Sequence, residues 1–223
     1  MINALINGNI REFLISVLLS LPIVFLALSV HETAHGYVAY KLGDPTARNL
    51  GRLTLNPIKH IDPIGFICMV LCGYGWAKPV PVNTRYFKKP KRDMALTGLA
   101  GPLSNLILAI IFALLYRVEY MAFDLFPPTT ELMVNIYYFL EIFLILGINL
   151  NITLAVFNLI PCPPFDGSRI FLVFLPTNIY FKIMKYEQYI YIALMIALVF
   201  GLLDGPIDFV SGLFRQLVFR LVF

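Results

Sequence analysis

Three apolar stretches of this chain are each long enough to cross a lipid bilayer. They occupy residues 13–40, 94–116 and 132–157, and about 20 apolar residues in a helix span the roughly 30 Å hydrocarbon core. The composition agrees, because 59% of the residues are hydrophobic and only 13% are charged, whereas about 25% are charged in soluble domains. The sequence therefore predicts an all-α integral membrane protein, and the lipid bilayer is the partner expected along most of its surface.

The rest of the chain extends this predicted bundle. Residues 187–203 indicate a fourth span, and residues 204–223, in which charged residues are spaced through apolar ones, predict an amphipathic helix, with a fifth span as the alternative. We therefore expect a polytopic bundle of about four to five transmembrane helices. It should form a single domain over residues 1–223, with a core at 12–175 and a C-terminal span and tail at 187–223.

Two shorter segments interrupt the spans. The apolar stretch at 61–76 is too short and too rich in glycine to cross the membrane comfortably, so it predicts a re-entrant hairpin. Residues 77–83 follow, and Pro79 and Pro81 exclude a helix or a central strand there but allow an extended edge segment. Such an edge would leave backbone groups available for a guest strand, while a plain surface loop is the alternative.

Two histidines and a glutamate stand together near the end of the first apolar stretch, in the sequence HETAH at residues 31–35. On a helix His31 and His35 share one face, so both imidazoles can bind one zinc ion. Glu32 lies about 100° around the helix, where it can act on a water as general base. Only three histidines occur in the chain, which argues against a chance match. The motif predicts a zinc-dependent peptidase.

The end of the third apolar stretch predicts a polar pocket. Residues 158–167 read NLIPCPPFDG and contain three prolines, which cannot continue a helix. Broken backbone at membrane depth is tolerated only where protein or a water-filled cavity satisfies its polar groups. We therefore expect Asp166 at the mouth of such a pocket.

Charged residues separate onto two sides of the membrane if the spans alternate. The loop 117–131 is acidic, with Glu119, Asp124 and Glu131 against the single Arg117. Basic loops face the cytoplasm, so the ends of the spans that carry the histidines and Asp166 should open toward the cytoplasm. The net charge of +4 is thus explained without a nucleic-acid partner. The basic side comprises Arg48, Arg52, Lys59, Lys78, Arg85, Lys88, Lys89, Lys91, Arg92, Lys182 and Lys185.

Three motifs together resemble the site-2 protease family of intramembrane zinc metalloproteases. They are HETAH at 31–35, GPLSN at 101–105 and the N-x-x-P-x-P-P-x-D-G pattern at 158–167, and the similarity covers roughly residues 20–175. The chain is most similar to the compact bacterial branch that lacks PDZ and CBS domains. The resemblance therefore implies a bacterial cytoplasmic (inner) membrane as its location.

The resemblance also implies the site residues and the substrates. It assigns one zinc ion per chain to His31, His35 and Asp166, and it makes Glu32 the residue that activates water. Its substrates would be transmembrane segments of membrane proteins, cut within the bilayer. It assigns Asn158 to holding the substrate or the oxyanion. Asn105 is either part of the active cavity or a helix–helix hydrogen bond.

Two other potential ligands are left outside this predicted site. His60 lies in a polar interfacial segment, and a catalytic zinc ion needs an open coordination position. Cys162 stands among prolines, where a small apolar filler is the ordinary role. The alternative function is a membrane metal-ion transporter or a proteolytically inactive scaffold, since intramembrane His and Asp also mark ion pathways. Glu32 favours the protease, because a transport site has no need of a non-ligating base beside its ligands.

Overall fold

Helices account for most of the computed structural model, which describes residues 9–72, 75–176, 179 and 185–223. Within these residues there is no strand, only an isolated antiparallel bridge between Ile61 and Ala77, so the all-α prediction is confirmed. The helices are α1 (Ile10–Lys41), α2 (Thr46–Asn49), α3 (Pro63–Cys72), α4 (Pro90–Leu125), α5 (Glu131–Asn158), α6 (Asp166–Phe171), α7 (Glu187–Val199) and α8 (Asp204–Val222). Short 3₁₀ turns lie at Pro57–Lys59, Thr84–Tyr86 and Leu172–Phe174.

Three of the described helices, α1, α4 and α5, are long and apolar enough to cross a membrane. They correspond to the three apolar stretches of the sequence. Helix α7 has 13 residues, or about 20 Å at 1.5 Å per residue, which is shorter than the hydrocarbon core. The fourth span near 187–203 therefore stays a prediction, and so does the total of four to five.

The hydrophobic core forms where α4 and α5 pack against each other and against α1 and α8. Gly147 of α5 makes this packing close, because a Cβ at that position would lie 2.5–2.8 Å from ring atoms of Phe112. The helices that lead to the predicted site are thereby held against one another. The buried residues of this core are Ile23, Ala109, Phe112, Ala113, Leu144, Ile148, Ile152, Val156, Val218 and Val222.

Helix α8 has the amphipathic character predicted for the tail. Ser211, Val218 and Val222 are buried, and the last two belong to the core. Arg215 Nη1 donates to Asn149 Oδ1 of α5 at 3.4 Å. The described α8 is not among the helices apolar enough to span a membrane, so it fits the amphipathic prediction better than the fifth span.

The predicted re-entrant hairpin at 61–76 contains α3 and a returning segment. The returning segment packs tightly on the start of α3. A Cβ on Gly65 would lie 3.0 Å from the Trp76 side chain and closer still to the Trp76 carbonyl. Residues 73–74 lie outside the described residues. The re-entrant position of this hairpin in a membrane stays a prediction.

Residues 77–83 form neither helix nor sheet, and they are anchored at both ends. Lys78 N–H donates to the His60 carbonyl at 2.8 Å, and Asn83 N–H donates to the buried Asp44 Oδ2 at 2.7 Å. Asn83 itself has extended backbone angles. This irregular segment therefore has a fixed course, along which it passes the end of α1.

Candidate metal centre

Two histidines of α1 and an aspartate at the start of α6 meet in the interior of the protein. The Nε2 atoms of His31 and His35 lie 3.0 Å apart. Asp166 Oδ2 lies 3.0 Å from His31 Nε2 and 2.9 Å from His35 Nε2. All three residues are buried. The structure thus brings together the three residues that the sequence nominated as metal ligands.

The loop between α5 and α6 positions Asp166 beside the histidines of α1. This loop follows α5 through three prolines. The chain then packs back on itself at Gly167, where a Cβ would lie 2.5 Å from the carbonyl carbon of Leu159 and closer still to its oxygen. Ser168 Oγ donates to the Phe165 carbonyl at 2.7 Å and closes the first turn of α6. Asp166 is therefore held at a fixed point next to the end of α5.

The donor set fits a zinc ion. Two imidazole nitrogens and one carboxylate oxygen converge within 4.8 Å of one another. Tetrahedral zinc with bonds of about 2.0–2.1 Å would separate its ligand atoms by about 3.3 Å, close to the 2.9–3.0 Å separations here. This is the one such group of His, Cys, Asp or Glu found among the residues that the structure describes.

Glycine is required where α4 passes the two imidazoles. A Cβ on Gly101 would lie 2.6 Å from His31 Nε2 and closer still to His35 Nε2. Any larger residue would displace the rings or fill the space in front of their nitrogens. The glycine of the GPLSN motif therefore lets the backbone of α4 pack directly against the two imidazoles.

The ring of His35 has a single suitable tautomer for binding a metal through Nε2. Its Nδ1 lies 2.6 Å from the Thr97 carbonyl oxygen, which can only accept a hydrogen bond. Nδ1 therefore carries the proton, and Nε2 is left to face Asp166. Such a hydrogen bond on the far nitrogen is the usual way in which proteins orient a metal-binding histidine.

Asp166 is held in its ionised form. Burial by itself raises the pKa of a carboxyl group, but a proton on Nε2 of the His31 and His35 rings outweighs burial and holds the pKa of Asp166 below its usual range; zinc would take the place of that proton. A metal ligand must be deprotonated to bind. The local environment of Asp166 therefore suits that role.

Glu32 lies beside the three converging residues without joining them. Its Oε2 accepts a hydrogen bond from Val80 N–H at 2.7 Å, so the irregular segment 77–83 fixes the side chain. The second carboxylate oxygen has no hydrogen-bond partner among the described residues, so it can bind another group. Glu32 also lines the cavity that runs from the site, which is the position a general base needs.

An apolar cavity of about 570 Å³ leads away from the site along α1. Between Val17 and Glu32, which both line it, α1 rises about 22 Å. The walls come mainly from α1, α3 and α5, so most of the cavity lies between the first span, the predicted re-entrant helix and the third span; residues 75–80, Asn105 and the loop before α6 also contribute to them. Its apolar lining includes Val17, Leu21, Phe25, Phe66, Met69 and Phe157.

The two asparagines considered for the site, Asn158 from the resemblance and Asn105 from its place in an apolar span, occupy different places. Asn105 is fully buried, and its Oδ1 lies 2.9 Å from His31 Nδ1. Asn105 also lines the cavity and lies 3.5 Å from Asn151 of α5, so both alternatives for this residue have support. Asn158 lines the cavity, and its Nδ2 donates to the Leu154 carbonyl at 2.9 Å.

His60 and Cys162 stand apart from the three converging residues. His60 is buried, with Nε2 2.7 Å from the Thr54 carbonyl. Cys162 packs beside the small apolar cluster around Phe165. Burial raises the pKa of the Cys162 thiol, which disfavours the thiolate that binds metals.

Sequence reasoning missed three groups that contact the site residues. The Val80 N–H and the Thr97 carbonyl belong to the backbone, and no side-chain pattern could have indicated them. Asn151 was different, because an amide inside an apolar span was available as a signal, as it was for Asn105, although Asn135 and Asn149 stand in the same span.

Comparisons with known proteins agree with the chemistry of this site. A family model described as peptidase family M50 matches residues 19–202. Two relatives carry names that begin "Putative zinc metalloprotease": YwhC of Bacillus subtilis is 44% identical over 79% of this chain and 78% of its own length, and Rip2 of Mycolicibacterium smegmatis is 29% identical over 64% and 51%. A zinc metalloprotease of Methanocaldococcus jannaschii, MJ0392, is 28% identical over 82% of this chain and 42% of its own length. No solved structure matches.

Proposed function

The chain belongs to peptidase family M50 and is an intramembrane zinc metalloprotease; on this premise we propose that His31, His35 and Asp166 bind the zinc ion and that Glu32 is the general base. One observation carries the assignment. Three buried ligand atoms converge within 4.8 Å next to a carboxylate, at the end of an apolar cavity. The family gives no support to the alternative of a metal-ion transporter or an inactive scaffold.

Each protein group at the site has its own role in the proposed hydrolysis. Zinc, when bound, supplies Lewis acidity toward the scissile carbonyl and toward an attacking water. Glu32 takes the proton of the water on its free oxygen while Val80 N–H holds the other, and it can then pass that proton to the leaving amine. Thr97 and Asn105 hold the far nitrogens of the two imidazole rings, so the rings keep one orientation throughout.

The apolar cavity suits a segment of a membrane protein as substrate. A transmembrane helix hides its carbonyls in its own hydrogen bonds, so the substrate must unwind locally before attack. Segment 77–83 runs beside Glu32, and Ala77, Pro79 and Val80 line the cavity. Backbone groups of this segment other than Val80 N–H, which holds Glu32, could pair with the unwound chain by β-augmentation. Asn158, which also lines the cavity, would hold the substrate or the oxyanion.

Proteolysis in a defined bilayer tests this function. The purified protein is placed in lipid vesicles with a single-span protein that carries a soluble tag at each end, and the products are mapped by mass spectrometry. We expect cleavage within the apolar segment, complete loss of cleavage with 1,10-phenanthroline, and recovery on adding Zn²⁺. Cleavage confined to the soluble tags, or insensitive to the chelator, would refute the proposal.

We further propose that the site opens toward the cytoplasm. Lys89 lies at the start of α4 within the basic side, and Thr129 lies beyond the other end of this helix, which has 36 residues and is about 54 Å long. Both are exposed. Among the basic residues that set this orientation, Lys182 lies outside the described residues.

Labelling of single cysteines from outside the cell checks this orientation. In a background with the three native cysteines replaced by serine, we expect a membrane-impermeant maleimide to label Thr129→Cys on intact spheroplasts but not Lys89→Cys. Both variants should react after the membrane is permeabilised, which controls for accessibility. The reverse pattern would place the site on the opposite face.

A further inference from the structure

A chain of buried amides connects the ring of His31 to the backbone of α5. His31 Nδ1 lies 2.9 Å from Asn105 Oδ1, Asn105 Nδ2 lies 3.5 Å from Asn151 Oδ1, and Asn151 Nδ2 lies 2.8 Å from the Gly147 carbonyl oxygen. Both asparagine side chains are fully buried. This row of amides crosses from α1 through α4 to α5 and links the three described helices that are long enough to span a membrane.

The Gly147 carbonyl, at one end of this row of amides, sets the donor and acceptor of every hydrogen bond in it. The Gly147 carbonyl can only accept a hydrogen bond, so the Asn151 amide must turn its Nδ2 toward it. Asn151 Oδ1, an acceptor, then faces Asn105, so the donor in this hydrogen bond must be Asn105 Nδ2. Asn105 Oδ1 is then left to face His31, whose Nδ1 must carry the proton. The lone pair of the His31 ring is therefore at Nε2.

The tautomer of His31 depends on a fixed amide orientation, whereas that of His35 does not. The partner of His35 is a backbone carbonyl, which cannot reverse. The partner of His31 is a side-chain amide, which could turn by 180° with little change in shape and offer Nδ2 to His31 Nδ1. That arrangement would favour the tautomer with the proton on Nε2, which cannot bind a metal through Nε2. It would also bring Asn105 Oδ1 against Asn151 Oδ1, two acceptors buried without a proton between them.

We propose that Asn151 is a positioning residue of the active site. By fixing the orientation of the Asn105 amide, it holds His31 in the tautomer whose Nε2 is free to bind zinc. This inference rests on the proposed function, because it assumes that His31 is a zinc ligand. Asn151 itself neither lines the cavity nor belongs to the converging ligand group.

Zinc affinity separates this role from simple packing. On detergent-purified, monodisperse protein, Zn²⁺ binding is measured by competition with a chromogenic chelator. Asn151→Leu keeps the size of the side chain but removes the acceptor, and we expect affinity to fall on the order of 10-fold, as for other outer-shell partners of metal ligands. Asn151→Ser, whose hydroxyl is too short to reach Asn105, should weaken binding similarly and serves if the leucine variant does not fold.

The conservative variant is expected to restore binding. Burial favours the neutral form of a carboxyl group, and a neutral aspartic acid can donate to Gly147 and accept from Asn105 as asparagine does. Asn151→Asp should therefore bind zinc with an affinity close to that of the wild type. A role in packing alone predicts the opposite order, because a new buried carboxyl group would be the more disruptive change.

Asn149→Leu is the matched control, since it makes the same change on α5 at an amide that faces Arg215 and does not line the cavity. It should leave zinc affinity unchanged. Three results would each overturn the inference while the wild type still binds zinc. They are wild-type affinity in Asn151→Leu or Asn151→Ser, equal losses of zinc affinity in Asn151→Leu and Asn149→Leu, and a larger loss in Asn151→Asp than in Asn151→Leu. A wild-type protein that binds no zinc would instead refute the proposed function, and this inference with it.

Discussion

Glu32→Gln is expected to abolish cleavage while the protein still binds zinc. Glutamine has nearly the same shape as glutamate and keeps an oxygen that can accept from Val80 N–H, which bonds Glu32 Oε2 at 2.7 Å. It cannot take a proton from water, and loss of a general base costs roughly 10²–10⁴-fold in rate. The vesicle assay measures the rate, and elemental analysis of the same preparation measures zinc per chain.

A second glutamate provides the control for this variant. Glu119 lies in α4 and does not line the cavity, so Glu119→Gln should retain full activity. If Glu32→Gln cleaved within about tenfold of the wild-type rate, Glu32 could not be the general base. If it lost zinc together with activity, its effect would be on the metal site, and the separation of base from ligands would be wrong.

The parts of the site that lie on one helix could be predicted from the sequence. His31 and His35 are four residues apart, so helical periodicity alone puts them on one face, and the same periodicity leaves Glu32 beside that face. Asp166 required more. The proline-rich loop indicated a polar pocket, but only the resemblance to a family joined Asp166 to the two histidines, because no local rule relates residues so far apart in the chain.

The contacts that orient the site residues could not be predicted in the same way. Glu32 and His35 are held by the Val80 N–H and the Thr97 carbonyl, and backbone groups carry no sequence signal. Gly101 stood in a recognised motif, but its contact with both imidazoles depends on how closely α4 approaches α1. Such contacts follow from tertiary packing, so only the structure reveals them.

Hydropathy alone leaves the number of membrane spans a prediction. An apolar residue that faces lipid and one that faces another helix look alike in a sequence. Residues 187–203 are apolar enough to suggest a span, yet the described helix there has only 13 residues. Length, and not apolar character, is what separates α7 from α1, α4 and α5.

Asp166→Ala is expected to remove both zinc and activity. Two imidazoles would remain of the three groups that converge within 4.8 Å, and the loss of a ligand should exceed the roughly 10–100-fold that loss of an outer-shell partner costs in metal affinity. Zinc per chain and affinity against a competing chelator are measured on monodisperse protein. Cleavage in vesicles should fall in proportion to bound zinc.

Asp62→Ala separates the loss of a ligand from the loss of a helix cap. Asp62 Oδ1 accepts from Gly65 N–H at 2.8 Å at the start of α3, much as Asp166 stands at the start of α6, but it is no member of the converging group. Losing a cap costs about 0.5–2 kcal/mol of stability, so Asp62→Ala should bind zinc normally in the protein that folds. If Asp166→Ala also bound zinc with wild-type affinity, Asp166 would be a cap and not a ligand. The third ligand would then have to come from Asn158, Cys162 or His60, whose Nδ1 is buried without a hydrogen-bond partner among the described residues.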